Sequence, residues 1–298
     1  MLEDTVKKLQ DWYSGADKRM LFAVSLCLLL VSSGYLYYNM GRERGAKEEG
    51  EWLLKGLNLR GGNQLTADIP IDMEVNTREL ERYFADRGIE TEIRTSRSAT
   101  ERRLEVRTDI RVTEEEIVDV LTEWGMEIED YTFNQVDPGL AEGFWEQSRL
   151  ALIAAFIFMG VVVFFVFRDF IPFVAIIYAV GLDMIVVLAV MQLFQIPLTL
   201  ASFAGLLLVI GYSVDSDVVL VTRVLKRKKG TVSERTFSAM RTNIAMMVTT
   251  LSALVVLYIA TTAQALREVA SVLIIALAID FISTWFGNAS IIRWWVER

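Results

Sequence analysis

Two aspartates, Asp215 and Asp217, sit inside an otherwise apolar run in the stretch GYSVDSDVVLVTRVLKRKKG (Gly211–Gly230), which opens upstream at Leu198 and ends in a block of lysines and arginines. Asp183 and Asp280 interrupt two further apolar runs in the same way. A carboxylate near the centre of a bilayer costs at least about 2.5–3.5 kcal/mol, so such groups face a polar interior and carry ions or protons, or serve as hydrogen-bond or ion-pair partners between helices. The chain contains no histidine and a single cysteine, Cys27. That excludes Ser-His-Asp catalysis, a histidine metal site or relay, an internal disulfide and a multi-cysteine metal centre. Proton chemistry here falls to carboxylates, helped by Tyr, Lys or water. No feature points to an enzyme, a metal or a cofactor.

The elements that hold these acids are membrane spans. Of 298 residues, 53% are hydrophobic, above the soluble average of roughly 45–50%, and mean hydropathy is +0.37. Six apolar segments are long enough to cross a hydrocarbon core of ~30 Å at ~1.5 Å per residue. They cover residues 20–38, 150–167, 170–194, 198–222, 240–262 and 269–292. The same rise sets Asp183 roughly 16 Å, Asp215 roughly 12 Å, Asp280 roughly 19 Å and Asp217 roughly 9 Å from the basic end of their helices. Residues two apart on a helix point ~200° apart, so Asp215 and Asp217 cannot share a face. One of them faces the bundle interior, the other a partner subunit or an inner vestibule. Arg241, at a similar depth on the fifth span, could neutralise Asp217, and Ser283, Thr284 and Asn288 offer polar company to Asp280. Gly160, Gly181, Gly205 and Gly211 read as close-packing positions.

Orientation follows the lysines and arginines of short loops. Lys18 and Arg19 precede the first span, Arg168 sits between the second and third, and Arg223–Arg235 fill the loop after the fourth. Arg293 and Arg298 follow the sixth. All fall on one side, so the tail of residues 1–19, the basic loop of 223–239 and the C-terminus of 293–298 are expected in the cytoplasm, and residues 41–147 outside. The KRKK tract (Lys226–Lys229) reads chiefly as a topology and headgroup signal, with contact to a cytosolic partner as the lesser reading. The first span has the basic flank of a cleaved signal peptide. Its length and the lack of an A-x-A site make it a signal anchor.

Residues 41–147 hold 14 Lys and Arg against 26 Asp and Glu, so the external segment is acidic and unsuited to nucleic acid. It opens with a charged juxtamembrane stretch (residues 41–55) compatible with a helix. GLNLRGGNQLTADI (Gly56–Ile69) reads as a strand with a tight bend or a hairpin about Gly61-Gly62. Helix starts at Asn76 and Thr113, each with Glu three residues on, lead to stops at Gly88 and Gly125. Strand-like TEIRTS and ERRLEVRTDI lie between them, and MEIEDYTFNQV (Met126–Val136) closes the domain. The order β-α-β-β-α-β matches the ferredoxin-like split βαβ pattern. Phe144 and Trp145 then read as interface anchors. The fold class is thus a polytopic α-helical membrane protein of six transmembrane helices, with one α+β, ferredoxin-like extracytoplasmic domain between helices 1 and 2.

GYSVDSDVVLVTRV resembles the fourth-span signature of the SecF family, Gly-Tyr-Ser-hydrophobic-Asn-Asp-Thr-Val-Val-x-x-x-Arg, which takes in Gly211, Tyr212, Ser213 and Arg223. GLNLRGGNQL resembles the family's glycine-rich opening of its external domain. Leu182-Asp183 resembles its third-span His-Asp element with leucine for histidine, and Arg241-Thr242 its fifth-span Arg-Thr pair. The Asp-Ser-Asp form is similar to the archaeal branch. Aligned without gaps, Asp215 falls on the family's asparagine, Ser216 on its aspartate and Asp217 on its threonine, so the proton-carrying role falls to Asp215 or Asp217, and depth favours Asp215. The resemblance implies a cell-membrane subunit of the resistance-nodulation-division superfamily. Its partners would be SecD, the Sec channel (SecY/SecE), membrane lipid and the translocating polypeptide, with an ion gradient, such as the proton motive force, driving export. Asp183, Asp215, Asp217, Asp280 and Arg241 are the implied ion-coupling set. A small-solute or lipid exporter of the same superfamily and a non-transporting membrane scaffold stand as alternatives.

Overall fold

The computed structural model describes residue 15 and residues 17–43, 53–70, 73, 75–97, 102–126, 128, 130–227, 229–261 and 263–298. Most of the N-terminal tail, the centre of the expected juxtamembrane helix (residues 44–52) and Lys228 lie outside the described residues. The chain divides into two units, residues 1–54 with 150–298, and residues 55–149.

In the smaller unit, a single helical turn, α2 (Leu57–Arg60), precedes β1 (Gly62–Ile69). Then come α3 (Thr77–Ala85), β2 (Thr91–Arg97), β3 (Arg102–Thr108), α4 (Glu114–Glu123) and β4 (Tyr131–Val136). The sheet runs β2-β3-β1-β4 with every neighbour antiparallel, the ferredoxin-like arrangement the element order predicts. Alternation explains its core. Leu65, Ala67 and Ile69 of β1 and Leu104 and Val106 of β3 point to one face, where Leu80 and Phe84 of α3 and Ile117, Val120 and Leu121 of α4 cover them. Thr113 and Glu116 form the reciprocal capping box that starts α4.

Two expectations change. Gly56–Ile69 is a helical turn and one strand instead of a hairpin. Gly61 (φ 81°) and Gly62 (φ 107°) mark the junction because a Cβ there would meet Pro138 Cα at 2.7 Å and the Thr108 carbonyl at 2.6 Å. The closing strand begins at Tyr131, while Met126 ahead of it fills the core.

The larger unit holds six helices long and apolar enough to cross a membrane. They are α1 (Lys18–Glu43), α5 (Pro138–Phe167), α6 (Phe170–Leu193), α7 (Leu200–Lys226), α8 (Val232–Ala260), and a last span of α9 (Gln264–Ile282), a π-helical turn (Ser283–Asn288) and α10 (Ala289–Val296). Thr199 and Thr231 cap α7 and α8 by accepting from Ser202 N and Glu234 N. Helix α6 is central, with buried side chains nearly all round; α5 and α8 are mostly exposed, with 17% and 11% of their apolar windows buried. The outer face of α5 from Leu150 to Val166 is apolar, as a lipid-facing surface requires, and α8 exposes apolar residues such as Val248, Val256 and Ile259 together with Arg241.

Candidate functional site

The fourth span sorts its residues by face at helical spacing. Ser202, Leu206, Val209, Ser213, Asp217, Leu220 and Val224 are buried, while Ala204, Gly211, Asp215 and Leu208 (54% exposed) form the opposite strip. Asp215 and Asp217 are therefore separated by the helix itself. Asp217 enters the bundle; Asp215, which depth alone favoured as the proton carrier, stands on its outer surface.

Asp183 of α6, Asp217 of α7 and Asp280 of α9 converge inside, at 0%, 0% and 4% exposure. Ser213 Oγ donates to Asp183 Oδ2 at 2.5 Å. Asp217 Oδ1 accepts from Asn288 Nδ2 at 2.6 Å and from Thr284 Oγ1 at 3.1 Å. The same Thr284 hydroxyl lies 3.4 Å from Asp280 Oδ1. One hydroxyl carries one proton, so Thr284 serves Asp217 or Asp280 but not both as donor. Asp280 is also the acidic neighbour of both Asp183 and Asp217.

Small residues and the π turn set this geometry. A Cβ on Gly205 would meet Val272 Cβ at 3.1 Å, so α7 and α9 meet closely there. A Cβ on Gly287 would meet Tyr178 and Ser25 side chains at 3.2 and 3.3 Å, which seats the π turn against α6 and α1. The π winding interrupts the ordinary i→i−4 ladder between Asp280 and α10 and presents Thr284 and Asn288 to Asp217. These two residues looked like company for Asp280; their stronger hydrogen bonds go to Asp217. Nothing in their sequence marks a π turn.

Among the described residues, no lysine or arginine comes within ion-pair distance of the three acids. Arg241 is exposed on α8 and takes no part in the cluster, so Asp217 is held by neutral donors instead of by that arginine. Tyr212 is half-buried with its hydroxyl enclosed, and Gly211 has open space beside it. Arg223 is a tie between helices: its Nη1 donates to Ser238 O at 2.6 Å and Ser238 Oγ at 3.0 Å. Asp183 Oδ1, Asp217 Oδ2 and Asn288 Oδ1 are buried acceptors without a protein donor. The enclosure is acid-rich, and the donors that reach Asp183 and Asp217 are neutral, two hydroxyls and one amide.

Comparison with known proteins agrees with this architecture. The family described as protein export membrane protein SecD/SecF, C-terminal, matches residues 116–298. The protein-export membrane protein SecF of Methanolacinia petrolearia is 33% identical over 285 residues, taking in 95% of both chains. That of Pyrococcus furiosus is 34% identical over 84% of this chain and 83% of its own. In Methanothermobacter thermautotrophicus SecF, identity rises to 43% over 171 residues, 56% of this chain and 60% of the relative. The crystal structure of SecDF, a translocon-associated membrane protein from Thermus thermophilus, superposes with a TM-score of 0.72 at 18% identity, over 94% of this chain and 38% of that longer one. With its profile matched over more than half its length and relatives of 33–34% identity aligned over most of it, this multi-pass membrane protein belongs to the SecF family of protein-export membrane proteins.

Proposed function

We propose that this chain is the SecF-type half of a two-part accessory to the Sec channel, and that ion passage through its carboxyl cluster drives the release of exported polypeptides. The observation that carries the reading is the burial of Asp183, Asp217 and Asp280 together with only neutral donors around them. Fixed helix-to-helix glue favours an acid locked to an arginine. A cluster that takes its compensating charge from a mobile ion changes its preferred surroundings each time the ion arrives or leaves, and helices with two packings convert that into motion. Thr284, able to serve either Asp217 or Asp280, is the element at which such an exchange registers.

Asp215 and Arg241 supply a second part of the reading. Both are exposed, on consecutive spans that share the basic loop, and neither contributes to the interior cluster. An acid and a guanidinium on a lipid-facing surface call for a covering protein. A SecD bundle is the natural occupant, since the related SecDF chain is more than twice as long as the part this chain covers. The lysines and arginines of the short loops favour both termini in the cytoplasm and the four-stranded domain on the export side, the side of the emerging polypeptide and the Sec channel mouth.

The test is export from membrane vesicles with an imposed ion gradient. Asp183→Asn is expected to abolish the gradient-dependent part of export while SecD still copurifies. Wild-type export with Asp183→Asn and Asp217→Asn together would support the scaffold reading instead. Accumulation of a small solute in a deletion strain with normal secretion would support the exporter.

A further inference from the structure

The two edges of the four-stranded sheet are finished differently. On β2, Glu92 and Arg94 place charge along the strand, tied to each other and to Arg60, the ordinary protection of an exposed edge against another chain. The opposite edge, β4, is Tyr131-Thr-Phe-Asn-Gln-Val136. Its six residues include no charge, proline or glycine; Tyr131, Thr132, Phe133 and Val136 favour a strand, and most of the side chains are exposed. β4 pairs with β1 on one side alone. Among the described residues its backbone has no other hydrogen-bond partner. In an antiparallel pair alternate residues direct both N–H and C=O to the same side, so about half of the β4 amides and carbonyls face outward unpaired. The Tyr131 hydroxyl donates to Glu114 Oε1 at 2.9 Å and holds the start of the strand against α4.

We infer that β4 is a docking edge for an extended polypeptide segment, which adds to the sheet as a fifth strand. The chemistry selects the occupant. A row of free backbone donors and acceptors is satisfied by another backbone in extended form, and an edge without charge imposes little demand on the side chains that follow. Such sequence tolerance is what a surface needs when it meets many different unfolded chains. The inference rests on the proposed function for its biology but stands on the edge geometry for its chemistry.

The experiment is amide hydrogen exchange on the full chain in nanodiscs, with reduced and carboxymethylated α-lactalbumin as a permanently unfolded probe. The outward-facing amides of Tyr131–Val136 are expected to exchange about tenfold more slowly with the probe, as a gained hydrogen bond requires, while β2 amides are unchanged. An oligoproline peptide, which has no N–H donors, is expected not to protect them. Thr132→Lys with Asn134→Lys, which charges the edge on the sheet's open face and leaves the ladder to β1 intact, is expected to remove the protection without changing exchange in β1 or β3. Binding without β4 protection overturns the inference. So does equal β4 protection by SecD alone, which would give the edge to a folded partner strand. Loss of export in Asp183→Asn with no β4 protection sinks this inference and leaves the proposed function standing; protection with export indifferent to the acids does the reverse.

Discussion

Replacing Asp217 separates the structural and the ion-handling roles of the cluster, because asparagine and leucine keep different parts of it. In Asp217→Asn the amide oxygen still accepts from Asn288 and Thr284, whose donors lie 2.6 and 3.1 Å away. Shape and both hydrogen bonds survive, and the buried ionisable group is gone. In Asp217→Leu the Thr284 hydroxyl can turn to Asp280, 3.4 Å away, but Asn288 Nδ2 is left without an acceptor in a fully buried position. An orphaned buried donor costs about 1–3 kcal/mol. The leucine variant is therefore expected to be about 1–3 kcal/mol less stable than the asparagine variant, measured as the unfolding free energy of the solubilised chain. Export in gradient-bearing vesicles is expected to fall to its gradient-free level in both. The reasoning fails on either of two results. If Asp217→Asn exports at the wild-type rate and still responds to the gradient, the acid is glue; if the two variants are equally stable, the Asn288 and Thr284 contacts do not hold Asp217 as described.

The smaller unit offers local tests. Gly62→Ala forces a left-handed residue and a Cβ 2.6 Å from the Thr108 carbonyl, so it is expected to cost about 1–3 kcal/mol and to raise amide exchange along β1 and β3. Thr113→Ala removes the acceptor for Glu116 N and is expected to cost about 1 kcal/mol, read as faster exchange in the first turn of α4. Burial works against the ionised Glu92, but Arg94, Arg107 and Arg60 outweigh it and hold its carboxyl below the ordinary value. A depressed acid stabilises the fold above its unfolded pKa of ~4.3 and loses that contribution as pH falls through the folded value. Glu92→Gln is thus expected to weaken β2 protection by about 0.5–1 kcal/mol at pH 7 and by nothing well below pH 4.

Residues that obey a local rule were legible from the sequence. The six spans follow from length and apolarity, and the domain's order follows from two helix-start signals and period-2 strands, with Gly88 and Gly125 at positive φ where the helices stop. Thr113 and Glu116 close a capping box, whereas the Asn76 side chain meets only that of Glu79 and caps no backbone N–H. That Asp215 and Asp217 face opposite ways is a matter of helix geometry alone. Which of them enters the bundle depended on the neighbours: Ser213, four residues before Asp217, shares its face, and the opposite strip of Ala204, Leu208 and Gly211 shares that of Asp215. That alternation was present in the sequence; depth, which favoured Asp215 as the carrier, could not use it because rise per residue ignores rotation. The π turn had no signal. Ser283–Asn288 (STWFGN) contains no proline, and its single glycine reads equally well as a packing site, so Asn288 looked like company for Asp280 on its own span and not like the donor to Asp217 that it is. Gly61-Gly62 misled in the other direction: a glycine pair predicts a turn, whereas here it makes room for the backbone of Pro138 and of Thr108.

The choice of ligands for the acids bears on how a membrane half-unit can remain exchangeable. An arginine beside Asp217 would have satisfied both oxygens bidentately and fixed one charge state. Thr284 and Asn288 are neutral donors of limited capacity, and they meet one oxygen, leaving Oδ2 without a protein partner. Asp183 is treated alike, with Ser213 on Oδ2 and Oδ1 left open. Asp183 and Asp217 are thus each anchored by one oxygen and available at the other. The guanidinium that could have closed the site, Arg241, instead stands exposed on the neighbouring span. Converting Asn288 to arginine is therefore expected to lock Asp217 as a permanent ion pair: export falls as it does in Asp217→Asn, yet the cluster's acids are all retained. Normal gradient-driven export from Asn288→Arg, with the ion pair confirmed by structure, would show that Asp217 need not exchange its counter-charge for the machine to run.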